Sequence, residues 1–424
     1  MTTFYVIALL LCAICGAPLF IIIGGLALAL FAATGIDPQA VIIELYRLAS
    51  APMLIAIPLF TFAGYLLAES KSPERMVELY RALFGWMPGG LAIVSFVACA
   101  FFTAFTGASG VTIIALGGLL YPILIKEKYS EKFSLGLLTT GGSLGLLFPP
   151  SLPLILFAII AQVNVDALFL AGIIPGILLI ALLSLFSIRA GVKSGVTRQP
   201  FELARVKKAF WNAAWIVPLP LVILGGIYGG IFTASEAAAI AVVYVLIIEV
   251  LIYKDISIHR DIPKIAANSM ILVGGVLIIL GCALGLTNYL VDEQIPMKIL
   301  GVMKTFITSK FMFLAVLNIF LLVVGCLMDI FSATIVVVPL IVPIAKEFGV
   351  NPIHLGIIFL TNLEIGYSTP PVGMNLFISS FRFKKPIPEL YRASLPFLGV
   401  LLVALIIITY VPDLSLWLVR LFGR

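Results

Sequence analysis

Two double prolines lie inside apolar sequence: Pro149-Pro150 in "GSLGLLFPPSLPL" (142–154) and Pro370-Pro371 in "EIGYSTPPVGMNL" (364–376). Proline has no N–H to give a helix, and its ring clashes with the carbonyl four residues earlier. In a continuous helix the N–H groups at 149 and 150 would bond the carbonyls of Gly145 and Leu146. Those at 370 and 371 would bond the carbonyls of Gly366 and Tyr367. The prolines are therefore expected to leave these carbonyls unpaired, beside glycines that unwind at low steric cost. Carbonyls at the negative end of a half-helix suit a small hard cation, with Ser or Thr hydroxyls completing the shell. The plain alternative is a proline kink. Two such loops, each opposite a small polar cluster, favour one cation site per half. The clusters are "TGASG" (106–110) and "DIFSAT" (329–334).

Two carboxylates stand out near these features. A carboxylate at mid-bilayer costs roughly 2.5–3.5 kcal/mol on insertion scales, so it usually faces a cavity. Asp329 is a candidate for positioning a substrate, a proton or a cation, and equally for capping the helical arm that follows it. Glu364 is placed to brace the second loop. Other motifs read as structure. Thr233 and Glu236 in "TASE" spell a capping box, and Asp37-Pro38 and Asn351-Pro352 spell helix starts. Residues 76–87 read as an interfacial amphipathic helix anchored by Arg81 and Trp86, and Trp211, Trp215 and Trp417 as belt residues. Cys12 and Cys15 form a C-x-x-C that reads as buried packing, since no second ligand pair exists. His259 and His354 are the only histidines and neither adjoins a carboxylate-rich motif, which argues against a histidine-based metal enzyme. No Ser-His or Asp-Asp signature and no phosphate-binding G-x-x-x-x-G-K-[ST] loop appears.

The elements that must position these residues follow from composition. Of 424 residues, 62% are hydrophobic and only 11% charged, against roughly 25% charged in soluble chains. Apolar runs near 4–32, 52–68, 166–188, 212–231, 235–253, 268–290 and 394–411 are each about long enough to span a bilayer. No Lys or Arg precedes the first, which reads as a retained helix and not a cleaved signal. The chain is an all-α polytopic membrane protein embedded in a lipid bilayer. Its formal charge of +6 reflects anchoring at the cytoplasmic face, not nucleic-acid binding.

The double prolines belong to a repeat. The shift along the chain that carries Pro149 onto Pro370 also carries Gly145 onto Gly366 and Pro122 onto Pro343. The pairs Lys126-Glu127 and Lys346-Glu347 fall one position short of it, a single-residue slip. The chain thus divides into two repeats, 1–200 and 201–424. The first holds a hairpin at 91–125 and a broken helix at 133–160. The second holds a hairpin at 311–346 and a broken helix at 354–380. Short apolar arms flanking polar tips read as re-entrant hairpins, since non-helical backbone at that depth must lie inside protein or beside a watery cavity. Charge sets their orientation. Lys126, Lys128 and Lys132 follow the first hairpin, but only Lys346 follows the second. No Lys or Arg lies in 161–167, whereas its counterpart carries Arg382, Lys384, Lys385 and Arg392. This reversed bias predicts inverted-topology repeats. It places the segments with Arg189, Lys193, Arg198, Arg205, Lys207 and Lys208, and with Lys254, Arg260 and Lys264, in the cytoplasm.

The "GASG" tip with "FPPS", and "MDIFSAT" with "NLEIGYSTPPVGMNL", resemble the large membrane subunit of tripartite ATP-independent periplasmic (TRAP) transporters, nearly end to end. The resemblance implies the elevator-type ion transporter superfamily fold in a bacterial inner membrane. It also implies sodium-coupled secondary import, a small four-helix membrane subunit and a periplasmic substrate-binding protein. Family substrates are organic acids: C4-dicarboxylates, sialic acid and other sugar acids, and keto acids. Carried onto this chain, the first sodium site falls on Thr106, Gly145, Phe148 and Pro150. The second falls on Gly325, Gly366, Thr369 and Pro371. Ser109, Ser151 and Asp329 become candidate substrate contacts between the tips. An ion channel and a membrane-embedded enzyme are the alternatives to a secondary transporter.

Overall fold

Gly107 and the prolines decide where the helices of the first repeat stop. In the computed structural model, Gly107 ends a helix in the left-handed conformation (φ 65°). A Cβ there would lie 2.5 Å from Leu152 Cβ, so only glycine fits this turn. The structure describes residues 17–35, 52–87, 89–194, 201–307 and 309–422, with short pieces between 8 and 50. Cys15, Pro38 and Arg198 lie outside the described residues. Helix α1 covers Leu19–Thr34, α2 Ala56–Glu69, α3 Ser72–Phe84, α4 Gly90–Thr106, α5 Ser109–Lys126 and α6 Glu131–Gly141. A 3₁₀ turn at Leu144–Leu147 leads to α7 (Leu152–Ala161) and α8 (Val165–Ser194). The second part holds α9 (Leu203–Asn212), α10 (Pro218–Tyr228), α11 (Ala234–Leu246), α12 (Ile262–Asp292), α13 (Ile295–Phe306) and α14 (Lys310–Leu327). It closes with α15 (Ile330–Glu347), α16 (Pro352–Gly366), α17 (Met374–Phe383), α18 (Ile387–Tyr410) and α19 (Asp413–Phe422). Among the described residues seven helices are long and apolar enough to cross a membrane, or nine if each of two bent pairs is one span.

Local chemistry explains most boundaries. Thr233 and Glu236 form the reciprocal capping box at the start of α11. Asn351 accepts the Ile353 N–H at 2.8 Å before Pro352 opens α16. The run 212–231 is not one continuous helix. Turns occupy 213–217, and Pro218 and Pro220 begin the short α10 afresh, because proline fits the first helical turn but not a helix interior. The hairpin arms α4, α5, α14 and α15 run 17 or 18 residues, about 26–27 Å at 1.5 Å per residue. Cys12 is exposed, contrary to the packing role its apolar context suggests. Trp211, Trp215 and Trp417 are also exposed, as an interfacial belt requires.

The repeat is more regular in three dimensions than in sequence. The shift that relates the proline pairs carries both the start and the end of α5 onto those of α15, and the start of α6 onto that of α16. The hairpin tips, Gly107-Ala108 and Met328-Asp329, therefore correspond without the slip suggested by the Lys-Glu pairs. A single extra residue enters later, between the second proline pair and α17, because α17 begins one position beyond where that shift would carry the start of α7. The halves interlock. Arm α5 packs on α17, and arm α15 packs on α7.

Contacts at the helix ends separate two faces. Glu131, at the start of α6, pairs with Lys385 at 2.5 Å, and Arg81 pairs with Glu127 at 2.5 Å. Arg75 and the Lys71 N–H both bond Asp255. One end of the molecule thus gathers the loops at 70–75, 126–132, 254–256 and 384–387. The first broken helix leaves that end, bends by 46° at the prolines, and finishes near Asn164. There Asn164, Asp166, Tyr228 and Ile353 line a cavity of about 470 Å³. Loops 126–132 and 346–353 accordingly sit at opposite ends of that broken helix.

Candidate functional site

At the first loop, two helix C-termini converge. α4 ends at the tip, and α6 with its 3₁₀ turn ends at the prolines. A Cβ on Gly145 would lie 2.2 Å from the Ala100 carbonyl oxygen and 2.4 Å from the Ala104 amide nitrogen. Only glycine lets the two backbones approach so closely. Thr103 Oγ1 fastens them, donating to the Gly142 carbonyl at 2.7 Å. The second loop repeats the arrangement. A Cβ on Gly366 would lie 2.5 Å from the Gly325 carbonyl carbon, so the end of α16 rides directly on the end of α14. The pairings are symmetric, since the shift that carries Gly145 onto Gly366 also carries Ala104 onto Gly325.

The expectation of unpaired carbonyls needs correction at Gly145, Gly366 and Tyr367. The Gly145 carbonyl accepts the Phe148 N–H at 3.0 Å, and the Gly366 carbonyl accepts the Thr369 N–H at 2.9 Å. The Tyr367 carbonyl accepts the Asn375 N–H at 3.0 Å. At Gly145 and Gly366 the physical reason is that the chain tightens into 3₁₀ geometry before each proline pair, so a donor three residues on replaces the missing donor four residues on; at Tyr367 the donor comes from the start of α17, beyond the prolines. Each carbonyl has a second lone pair, and two negative helix ends still point at each loop. Neutral hydroxyls stand nearby. Thr369 Oγ1 donates to the Ile365 carbonyl at 2.8 Å, and Thr106 Oγ1 lies 3.4 Å from the Ala108 carbonyl; both keep lone pairs for a cation. Thr106, Gly145 and Pro150 are buried and Phe148 is half-buried, whereas Thr369 is half-buried and Pro371 exposed. Among the described residues no group of His, Cys, Asp and Glu forms a metal cluster, so oxygen from backbone and hydroxyls is the donor set available.

The candidate substrate contacts separate. Ser109, at the N-terminus of α5, donates to Asn375 Oδ1 at 2.7 Å, and Asn375 lies in the first turn of α17. Two helix N-termini therefore meet there, and their positive ends favour an anion. Ser151 is fully buried, and its hydroxyl has no hydrogen-bond partner among the described residues. Asp329 caps α15, accepting the Phe331 and Ser332 N–H groups at 3.0 Å each, and its other oxygen accepts from the Ser332 hydroxyl. Of the two readings left open for Asp329, the cap is the one this geometry displays. Ala108 occupies the matching position in the first tip and makes no side-chain cap. The two tips thus differ in charge although their backbones correspond.

Sequence reasoning missed the polar seam between the halves. Asn375 Nδ2 donates to the Thr139 carbonyl at 3.3 Å, and Thr139 Oγ1 donates to Ser379 Oγ at 2.9 Å. Ser143 Oγ donates to the Glu364 carbonyl at 3.4 Å, and Ser368 Oγ to the Thr139 carbonyl at 3.5 Å. All these side chains are buried. The available signal was a pair of hydroxyl or amide residues four apart in otherwise apolar sequence, 139 and 143 in one half and 375 and 379 in the other. The Glu364 carboxylate is also buried, and neither oxygen has a partner among the described residues.

Over residues 3–414 the sequence matches the family described as "Tripartite ATP-independent periplasmic transporter, DctM component". It is 37% identical, over 86% of this chain and 85% of the relative, to the C4-dicarboxylate TRAP transporter large permease protein DctM of Vibrio cholerae. It is 33% identical to the isethionate TRAP transporter permease protein DctMQ of Oleidesulfovibrio alaskensis, over 95% of this chain and 64% of that protein. It is 32% identical to the ectoine/5-hydroxyectoine TRAP transporter large permease protein UehC of Ruegeria pomeroyi, over 86% of this chain and 85% of the relative. The fold is similar to that of the Alcanivorax borkumensis YdaH transporter, whose crystal structure was described as having an unusual topology. The TM-score is 0.63 at 13% identity, over 88% of this chain and 87% of that one.

Proposed function

The chain belongs to the DctM component family of tripartite ATP-independent periplasmic transporters, inner-membrane permeases and not enzymes, and on that premise we propose that it imports an organic acid anion by sodium symport. The observation that carries this reading is that the C-termini of α4 and α14 converge on the two glycine-proline loops. The packing of α5 on α17 brings two N-termini together at Ser109 and Asn375. The C-termini suit cations and the N-termini an anion. Sodium is assigned to Thr106, Gly145, Phe148 and Pro150, and to Gly325, Gly366, Thr369 and Pro371. The substrate carboxylate is assigned to the vicinity of Ser109, with Ser151 supplying an uncommitted hydroxyl. Asp329 caps its own helix and so neutralises the positive end at the second tip, which leaves the first tip for the anion.

The hairpins and broken helices would move as one body against the remaining helices, in an elevator cycle. A periplasmic binding protein would deliver the substrate, and a small four-helix membrane subunit would complete the permease. C4-dicarboxylates are the first class to try, because the Vibrio cholerae relative is named for them. Sialic acid, other sugar acids, isethionate and ectoine complete the panel. The test is reconstitution with both partners, followed by uptake of this panel with and without a sodium gradient. Uphill accumulation that depends on sodium with a Hill coefficient above one is expected. Accumulation driven by a proton gradient alone would overturn sodium coupling, and strictly downhill flux would identify a channel.

A further inference from the structure

Two cavities beside the first proline loop join into one groove. The first holds about 500 Å³ and is lined by Met76 and Leu79 on α3 and by Leu203, Val206, Lys207 and Phe210 on α9. The second holds about 270 Å³ and is lined by Val97 and Ala104 on α4, by Phe148 and Pro149, and by Ile180 and Leu224. Tyr80, Phe101 and Pro220 border both. The groove therefore runs from α9 to the backbone of the first proline loop. Apart from Tyr80 and Lys207, every side chain lining it is apolar.

Helix α9, "LARVKKAFWN", sits at the mouth. Its Leu203, Val206 and Phe210 face the groove, while Lys207 and Lys208 are exposed. Trp211 and Trp215, just beyond, are 66% and 49% exposed. A basic amphipathic helix with flanking tryptophans lies at a membrane surface, and a lysine there rests its aliphatic stem on apolar surface while its ammonium reaches the headgroup level. An apolar cleft that opens at that level and continues inward has the form of a lipid site. A transmembrane helix about 10–12 Å across with a 5.4 Å pitch fills roughly 400–600 Å³ in a single turn, more than the 270 Å³ of the inner part, whereas part of a single acyl chain fits that volume.

We propose that this groove binds one anionic phospholipid, its phosphate at Lys207 and Lys208 and an acyl chain along Phe101, Pro220 and Leu224 as far as Pro149. Its inner end reaches Phe148, which the first sodium assignment also uses, whereas its headgroup end at Lys207 and Lys208 lies outside the sodium and substrate assignments. Its test uses the full chain purified with its small membrane subunit, stripped of lipid and supplied with phosphatidylglycerol or phosphatidylcholine. Bound lipid is counted by native mass spectrometry, and thermal unfolding is followed in parallel. Phosphatidylglycerol should be retained over phosphatidylcholine by about tenfold or more, and K207E/K208E should abolish that preference. L224W, which fills the inner groove, should reduce retention of phosphatidylglycerol while the complex stays assembled; V97W fills it from the opposite wall if L224W does not fold. Equal retention of the two lipids by the unaltered protein would overturn the proposal. So would unchanged phosphatidylglycerol retention in K207E/K208E and in the filled variants. Loss of the small subunit from L224W with lipid retention intact would assign the groove to that subunit instead.

Discussion

Ser143 and Glu364 are symmetry partners that touch: their positions differ by 221, the repeat of the chain, and the Ser143 hydroxyl donates to the Glu364 carbonyl at 3.4 Å. A residue can meet its own counterpart only near the axis that relates the two halves. The axis therefore passes between the broken helices, where the buried hydroxyls of Thr139 and Ser143 bond Ser379 and the Glu364 carbonyl of the second half.

If that axis lies in the membrane plane, loops 126–132 and 346–353 open to opposite compartments, with 126–132 cytoplasmic. Single cysteines placed at Lys128 and Gly349 in a background without exposed thiols should label from opposite sides of intact cells. Labelling of both from one side would remove the inverted-repeat reading.

Replacing both prolines of one pair by alanine tests the loops. Alanine is favoured over proline by roughly 3 kcal/mol in a helix interior, and two restored N–H donors would compete for the carbonyls of Gly145 and Leu146, or of Gly366 and Tyr367. P370A/P371A is expected to express and fold, while sodium-dependent thermal stabilisation shrinks. The exposed second loop should tolerate the change better than P149A/P150A. Normal sodium stabilisation in both double variants would return the prolines to the status of kinks.

The bond between Ser109 and Asn375 joins the halves without a charge. Truncating either residue leaves a buried polar group unsatisfied, a loss of about 1–3 kcal/mol. S109A and N375A should each lower the unfolding temperature, and S109A/N375A should cost less than their sum, with a coupling of about 0.5–3 kcal/mol. Additive effects in a double-mutant cycle would show that the contact carries no stability.

Asp255 gives a pH signature outside the spans. Burial by itself pushes its carboxyl up, but the Arg75 guanidinium and the Lys71 N–H outweigh burial and hold it below its ordinary value. A depressed folded-state value means stability that is present above the unfolded value, about 3.9, and is lost as pH falls through the folded one. The unaltered protein should therefore unfold at higher temperature than D255N at neutral pH, and the gap should close in acid below about pH 4. A gap that persists unchanged in acid would assign the effect of D255N to packing.

What short-range chemistry controls was legible in the chain alone. Low charge and long apolar runs specify membrane helices. Thr233 with Glu236, and Asn351 before Pro352, specify helix starts through bonds made within a few residues. The paired prolines specified two breaks, and their spacing the repeat. What those breaks face came from packing over long distances in the chain. That the Gly145 carbonyl takes the Phe148 N–H depends on how the turn tightens against Ala100 and Ala104, and proline chemistry alone does not fix it. Asn375 is one polar residue in an apolar helix until α17 crosses to α5 and places it against Ser109. That pairing spans 266 residues of chain and rests on packing between helices of different halves, which leaves no periodic trace in either segment. The groove beside Phe148 likewise arises from the first proline loop and several helices far apart in the chain, each of which, taken singly, gives no sign of a shared cavity.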